Sequence, residues 1–232
     1  MKKIARRDAR CTKVNLGSGP AALEGWINID NSLNARLAQY PLLRLFLHRL
    51  GVLPKSLYEV PWSEHVRHLI VRDVRRKLPF DSATVDYIYT SHLIEHLTVD
   101  EAERMVSECF RVLKPGGVIR IVTPDLELMA MTYLREMEAF SYGNSVYYPA
   151  RTFLKIVGVF RTQAEHGIAF KFDRSRHKWL YDKYTLKDLL ERCGFTDIKK
   201  MAYREGVVSD LEQLDNRPEE SLYMEATKPY AR

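Results

Sequence analysis

Val14-Asn15-Leu16 is a short strand-forming stretch that runs directly into Gly17-Ser18-Gly19-Pro20. Gly17 and Gly19 can take backbone angles closed to other residues and put no Cβ in a ligand's way. A strand ending in such a turn at the edge of a parallel sheet is where an α/β protein holds a nucleotide-like ligand. Eleven residues past Gly19 a second strand, Trp26-Ile27-Asn28-Ile29, ends in Asp30. A carboxylate at that point can accept hydrogen bonds from both hydroxyls of a ribose.

The alternation continues downstream. His68-Leu69-Ile70-Val71-Arg72-Asp73 reads as a third strand ending in an acid, and Val85-Asp86-Tyr87-Ile88-Tyr89-Thr90 as a fourth. Thr98 and Glu101 have capping-box spacing ahead of a helix whose apolar positions are Ala102, Met105, Val106, Cys109, Phe110 and Leu113. Lys114-Pro115-Gly116-Gly117 stops that helix before a fifth strand, Val118-Ile119-Arg120-Ile121-Val122-Thr123. Strands and helices thus alternate over residues 13–123, which predicts a parallel sheet covered on both faces. The pattern weakens over 126–179, with a helix expected at 126–137 and then an aromatic and basic stretch. Order returns with Thr185 as N-cap of a helix ended by Gly194, and two antiparallel strands follow around 197–203 and 222–226.

Residues 33–50 form an apolar helical stretch interrupted by Arg44, His48 and Arg49 and bracketed by Pro41 and Pro54. Its wide apolar arc and basic polar residues suit a helix on an anionic membrane surface or over a cleft, and equally a core-packed helix of an insertion. The net charge of +6 lies largely in a basic leader, residues 1–12, open to solvent, nucleic acid or lipid headgroups. Cys11, Cys109 and Cys193 have no CxxC or Cys/His ligand spacing, so neither a disulfide framework nor a metal site is expected. No apolar h-region follows the leader and no apolar run could span a bilayer; a cytoplasmic location is expected, at most peripheral to a membrane through residues 41–53.

Gly17-x-Gly19-x-x-Ala22 formally satisfies a dinucleotide fingerprint, but only residues 20–25 separate the turn from the next strand. That is too short for the crossover helix which aims its N-terminus at a pyrophosphate. Asn15-Leu16-Gly17-Ser18-Gly19, Gly25-Trp26-Ile27-Asn28-Ile29-Asp30, Asp73 before Leu78-Pro79-Phe80, Ser91-His92-Leu93-Ile94-Glu95-His96-Leu97 and Arg111-Val112-Leu113-Lys114-Pro115-Gly116-Gly117 occur in that order. Together they resemble the class I S-adenosylmethionine-dependent methyltransferases of the methyltransferase type 11-like kind. The resemblance implies a single Rossmann-like domain over 1–232, built on a mostly parallel seven-stranded sheet with an antiparallel C-terminal hairpin and helices on both faces. Residues 31–66 and 126–181 would be insertions, the second on the acceptor side.

The resemblance further implies S-adenosylmethionine as cofactor. Gly17 and Gly19, with Asn15 and Ser18, would lie along its methionine part and Asp30 on the ribose. Asp73 and the Val74 amide would read the adenine, and Ser91 and His92 would sit beside the amino group and sulfonium. Pro20 and Ala21 stand where the family often has a third glycine. A hydroxyl acceptor needs a base, for which His92, then His166 and His177, are candidates; Glu95 and His96 fit a structural or a chemical role. The acceptor would be a small molecule or a glycan, lipid-linked or free. An Asn/Asp-Pro-Pro-aromatic tetrapeptide is absent after the fourth strand, which disfavours amino methylation of nucleic acid. An RNA methyltransferase, a non-catalytic cofactor-binding protein of the same fold and a nicotinamide-dependent oxidoreductase are the alternatives.

Overall fold

A computed structural model describes residues 11–20, 22–53, 55–59, 64–139, 153 and 177–230. The expectations for residues 1–10, for Pro54, for His166 and for most of the aromatic stretch at 140–176 lie outside them. Seven strands form one sheet: β1 (Lys13–Leu16), β2 (Ile27–Asp30), β3 (Ile70–Val71), β4 (Val85–Ser91), β5 (Leu113–Pro124), β6 (Thr196–Met201) and β7 (Ser221–Thr227). Their order is β3-β2-β1-β4-β5-β7-β6, with the first five parallel and β7 antiparallel to both of its neighbours. The chain leaves β1 toward β2 and β3 on one side and later returns to β4 on the other. The carboxyl ends of β1 and β4 therefore flank a topological switch point, the place where such sheets bind ligands.

Helices α1 (Leu33–Ala38), α2 (Pro41–Arg49), α3 (Lys55–Tyr58), α4 (Val99–Val112), α5 (Leu126–Ala139), α6 (Lys183–Arg192) and α7 (Leu211–Leu214) accompany the strands. The expected box closes α4: Thr98 Oγ accepts from Glu101 N, while the Glu101 carboxylate accepts from Thr98 N. On one face of the sheet, Ile88, Ile119 and Ile121 pack with Met105 and Val106 of α4 and Leu186 and Leu190 of α6. On the other face, Tyr89, Val118, Val122 and Tyr223 pack with Trp26 and with Leu211 and Leu214 of α7.

Four expectations are corrected. The third strand is only two residues long, because His68 belongs to a 3-10 turn, Glu64–His68. The fifth strand starts at Leu113, since Lys114-Pro115-Gly116-Gly117 continues as extended chain once α4 ends. Asp182, not Thr185, caps α6; its carboxylate accepts from Tyr184 N and Thr185 N, and Thr185 answers from the third helical position. Residues 33–50 form two helices, because Pro41 opens a second one at its first position, and α2 buries none of its residues. Among the described residues, no helix is long and apolar enough to cross a membrane.

Arg120, in the middle of β5, is fully buried. Its five N–H donors all find acceptors: Asp215 at 2.6 and 3.2 Å, Glu225 at 3.0 Å, and the carbonyls of Glu205 and Ala202 at 2.9 and 3.2 Å. Asp215 also accepts from Tyr89 Oη and Arg204 N, and Glu225 from Val207 N. Gly206 lies against this network, where a Cβ would overlap the Glu225 carboxylate and come within 2.8 Å of Arg120 Nη1. Removing the guanidinium leaves two buried carboxylates without their cation, so Arg120→Met is expected to cost about 3–5 kcal/mol in urea unfolding. Gly206→Ala should destabilise in the same assay, because the carboxylate it displaces is held on three sides. Unchanged midpoints in both variants would mean that the network contributes nothing to stability.

Candidate functional site at the carboxyl edge of the sheet

The glycine turn is anchored to β2. Gly17 N and Ser18 N donate to Ile29 O, at 2.8 and 3.3 Å, and Gly19 N donates to Asp30 Oδ2 at 2.9 Å. Both glycines have left-handed backbone, φ +69° and +53°. A Cβ on Gly17 would press on Leu93 at 3.1 Å, so this turn and the segment after β4 lie against each other. A Cβ on Gly19 would meet nothing within 4 Å, which leaves the outer side of the turn open.

Asp30 is buried, and its second oxygen accepts from Ser32 N at 2.6 Å, at the start of α1. Ser18 Oγ is buried with no hydrogen-bond partner. A polar ligand laid across Gly19, Ser18 and Asp30 would find donors, an acceptor and open space, so these residues fit the cofactor their pattern implies. Asn15 lies inside the sheet, with its amide nitrogen 3.4 Å from Asn28 Oδ1. Asn28 in turn holds the turn at 23–26 by bonds to Leu23 and Trp26.

Asp73 follows the exit of β3. Its two oxygens accept from Arg75 Nε and Nη2 at 2.8 and 2.6 Å. Arg75 also reaches Glu101 at 3.2 Å, and Lys178 reaches the same carboxylate at 3.1 Å. Val74 is buried beside them. The Thr98 backbone N–H, then Lys178 and Arg75, hold the Glu101 carboxyl down at about 2.

At the end of β4, Ser91 pairs with Val122 and His92 follows with a left-handed backbone, φ +49°. A non-glycine residue in that region is strained unless its surroundings hold it there. Three contacts do so: His92 N donates to Val122 O at 2.9 Å, Nε2 lies 3.0 Å from Ser221 Oγ, and Nδ1 lies 3.3 Å from Glu95 Oε1. Glu95 is in a 3-10 turn, Ile94–His96, and is 0% exposed; its Oε2 accepts from Thr123 Oγ1 at 3.4 Å. Tyr181 is buried nearby, and burial, reinforced by Glu95, pushes its phenol up to about 12. The His177 ring lies 5.1 Å from that of His96.

The structure therefore gathers Gly17, Ser18, Gly19, Asp30, Ser91 and His92 along one edge, places Asp73 and Val74 beyond β3, and sets His177 against His96. Sequence alone left Glu95 open between a structural and a chemical role and gave Ser221, Tyr181 and Arg75 no site role. The His92-x-x-Glu95-His96 spacing was the available signal for the first; the others come from distant segments.

Residues 55–121 match the family model described as "Methyltransferase domain". Two solved structures share the fold. One is the S-adenosylmethionine-dependent methyltransferase SibL (TM-score 0.50, 13% identity, 95% of this chain and 51% of that one). The other is a SAM-dependent methyltransferase from Methanosarcina mazei (TM-score 0.50, 16% identity, 95% and 93%). Residues 55–121 are therefore similar to a methyltransferase domain, and the chain has the fold of the S-adenosylmethionine-dependent methyltransferases. A Mycolicibacterium smegmatis protein named "Probable S-adenosylmethionine-dependent methyltransferase" is 44% identical over 73 residues, 29% of this chain and 28% of that protein. An "Uncharacterized methyltransferase" of Synechocystis sp. is 24% identical over 172 residues, 72% of this chain and 65% of the other. The chain thus covers less than two thirds of either relative's length.

Because Glu101 joins the cap of α4 to Arg75 and Lys178, its lowered pKa is a source of stability with a definite sign. The contribution is complete above the ordinary value of 4.5 and disappears as pH falls toward about 2. Thermal unfolding between about pH 6 and pH 3 should show a shallower acid limb for Glu101→Gln than for the unsubstituted chain, with a lower Tm at neutral pH. An identical acid limb would assign the acid sensitivity to other carboxylates.

Proposed function

We propose that this methyltransferase domain transfers a methyl group from S-adenosylmethionine to a hydroxyl of a small molecule or glycan. What supports this reading is the contact of the glycine turn with Leu93 in the segment after β4, which would bring a cofactor cradle beside His92 and its left-handed backbone. Gly17, Ser18 and Gly19 would run along the methionine part of the cofactor, with Asn15 supporting the turn from below, and Asp30 would take the ribose hydroxyls. Asp73, shared with Arg75, and the Val74 amide would face the adenine; Ser91 and His92 would lie at the reacting end. When bound, the cofactor supplies a methyl group already activated on a sulfonium.

The protein's part is then positioning and proton removal. His92 Nε2, already within hydrogen-bonding distance of a hydroxyl at Ser221, takes the acceptor's proton directly or through Ser221 Oγ. The Glu95 carboxylate at 3.3 Å faces the positive charge that the ring then carries. The face of α2 left uncovered by the chain, with Leu42 83% and Phe46 58% exposed, supports an acceptor with an apolar carrier. Of the basic residues there, Arg44 donates to Tyr58 O and His48 stacks on the Tyr58 ring, so the patch attracts by apolar area more than by charge.

Calorimetry with S-adenosylmethionine and S-adenosylhomocysteine is expected to show binding that falls roughly 10- to 100-fold in Asp30→Ala, the loss expected when a charged hydrogen-bond acceptor is removed. Preference for NAD(H), or equal binding by the variant, would refute the cofactor assignment. With an acceptor from a screen of hydroxylated metabolites and glycans, His92→Gln should lower kcat at saturating cofactor roughly 100-fold or more, well beyond any change in cofactor affinity. Equal co-sedimentation of the parent chain and Phe46→Glu with lipid vesicles would remove α2 from the acceptor side.

A further inference from the structure

Glu95, His96 and His177 lie outside the cofactor cradle, yet each points a donor atom at the same small volume. One ligand atom from each falls within 4.8 Å of the other two, and Glu95 Oε1 is 3.9 Å from His96 Nε2. We infer that these three residues form a binding site for one divalent first-row transition ion of zinc's class.

The strongest reason is Glu95 itself. The residue is completely buried, and Oε1 has no hydrogen-bond partner. A carboxylate oxygen taken out of water without a hydrogen bond or a cation is costly. The nitrogens His92 Nδ1 and His96 Nε2 lie 3.3 and 3.9 Å from that oxygen.

The backbone supports the same arrangement. Glu95 O accepts from Lys178 N at 2.7 Å and from Trp179 N at 3.3 Å, which pins the His177 segment to the turn that carries Glu95 and His96. Thr123 Oγ1 donates to the other carboxylate oxygen and orients it, as an outer-shell partner does for a metal ligand. Bonds of about 2.0–2.2 Å put two donors on a tetrahedral ion about 3.4 Å apart, so small rotations of two half-buried rings complete the site.

The donor set selects the ion. Two imidazoles and one carboxylate suit zinc and its neighbours, whereas magnesium and calcium take oxygen ligands. Three protein donors leave a position open, the arrangement of catalytic rather than structural zinc sites. An ion here would lie within the same buried polar cluster as His92.

The test needs neither cofactor nor acceptor, so its outcome is separate from that of the methyl-transfer reading. Chelator-treated protein is titrated with Zn²⁺ by calorimetry and with Co²⁺ by electronic absorption. One equivalent should bind with about micromolar affinity or better, and the bound Co²⁺ should show the intense visible bands of low coordination number. His96→Ala and His177→Ala should each weaken binding more than tenfold while leaving the thermal unfolding transition cooperative. Glu95→Gln should do the same; if that buried variant does not fold, the two histidine variants decide alone. Affinity weaker than about 1 mM, or binding unchanged in both histidine variants, overturns the site.

Discussion

The guanidinium of Arg120 sits in the centre of the sheet with every N–H donated, two carboxylates around it and the Tyr223 ring 5.0 Å from its carbon. Its partners come from three places: β7 through Glu225, the end of α7 through Asp215, and the loop at 202–205 through two carbonyls. A buried charge of this kind is weak support for stability in itself, because desolvation offsets much of the attraction. What it does is forbid alternatives. Any other placement of residues 202–225 strands a charge in the core, so the last part of the chain has one low-energy way to close the second face of the sheet.

That constraint reaches the candidate site through β7. Arg120 stands opposite Glu225, and Pro124 opposite Ser221, in one continuous antiparallel register. Residues 221, 223 and 225 share a face, so a slip by one residue would turn both the Glu225 anchor and Ser221 to the other side. Fixing Glu225 in the core therefore also fixes Ser221 3.0 Å from His92 Nε2, four residues along the same strand. Core packing and site geometry here are two ends of a single strand.

The first half of the fold was legible because each strand there ends in its own punctuation. Gly17 and Asp30 sit at strand ends, and the Thr98/Glu101 box sits at the start of a strongly periodic helix. Asp182 and Thr185 were harder, since both are good capping residues three apart and only the fold shows which carries the N-cap geometry. Arg120 was hidden for a different reason. One charged residue among the four apolar ones of Val118–Thr123 reads as the solvent side of an alternation, and nothing local says that α7 and its loop cover it. The cradle residues could be read from one short segment, whereas Glu95, His177, Tyr181 and Ser221 meet only after the chain has crossed the sheet.

This division has a physical cause. The cofactor side is made by the turns after β1 and β2, where backbone conformation is the functional feature, and glycine and aspartate announce it. The other side is made by side chains converging from the segment after β4, the end of β5, residues 177–181 and β7. Such convergence leaves little spacing to read, but it does leave a trace in energy: a fully buried glutamate, with one oxygen served by Thr123 and the other 3.3 Å from His92 Nδ1 and 3.9 Å from His96 Nε2. Burial without satisfaction is disfavoured in a domain that otherwise meets all five donors of Arg120. A site for a bound group explains why the fold leaves this one carboxylate oxygen without a hydrogen bond.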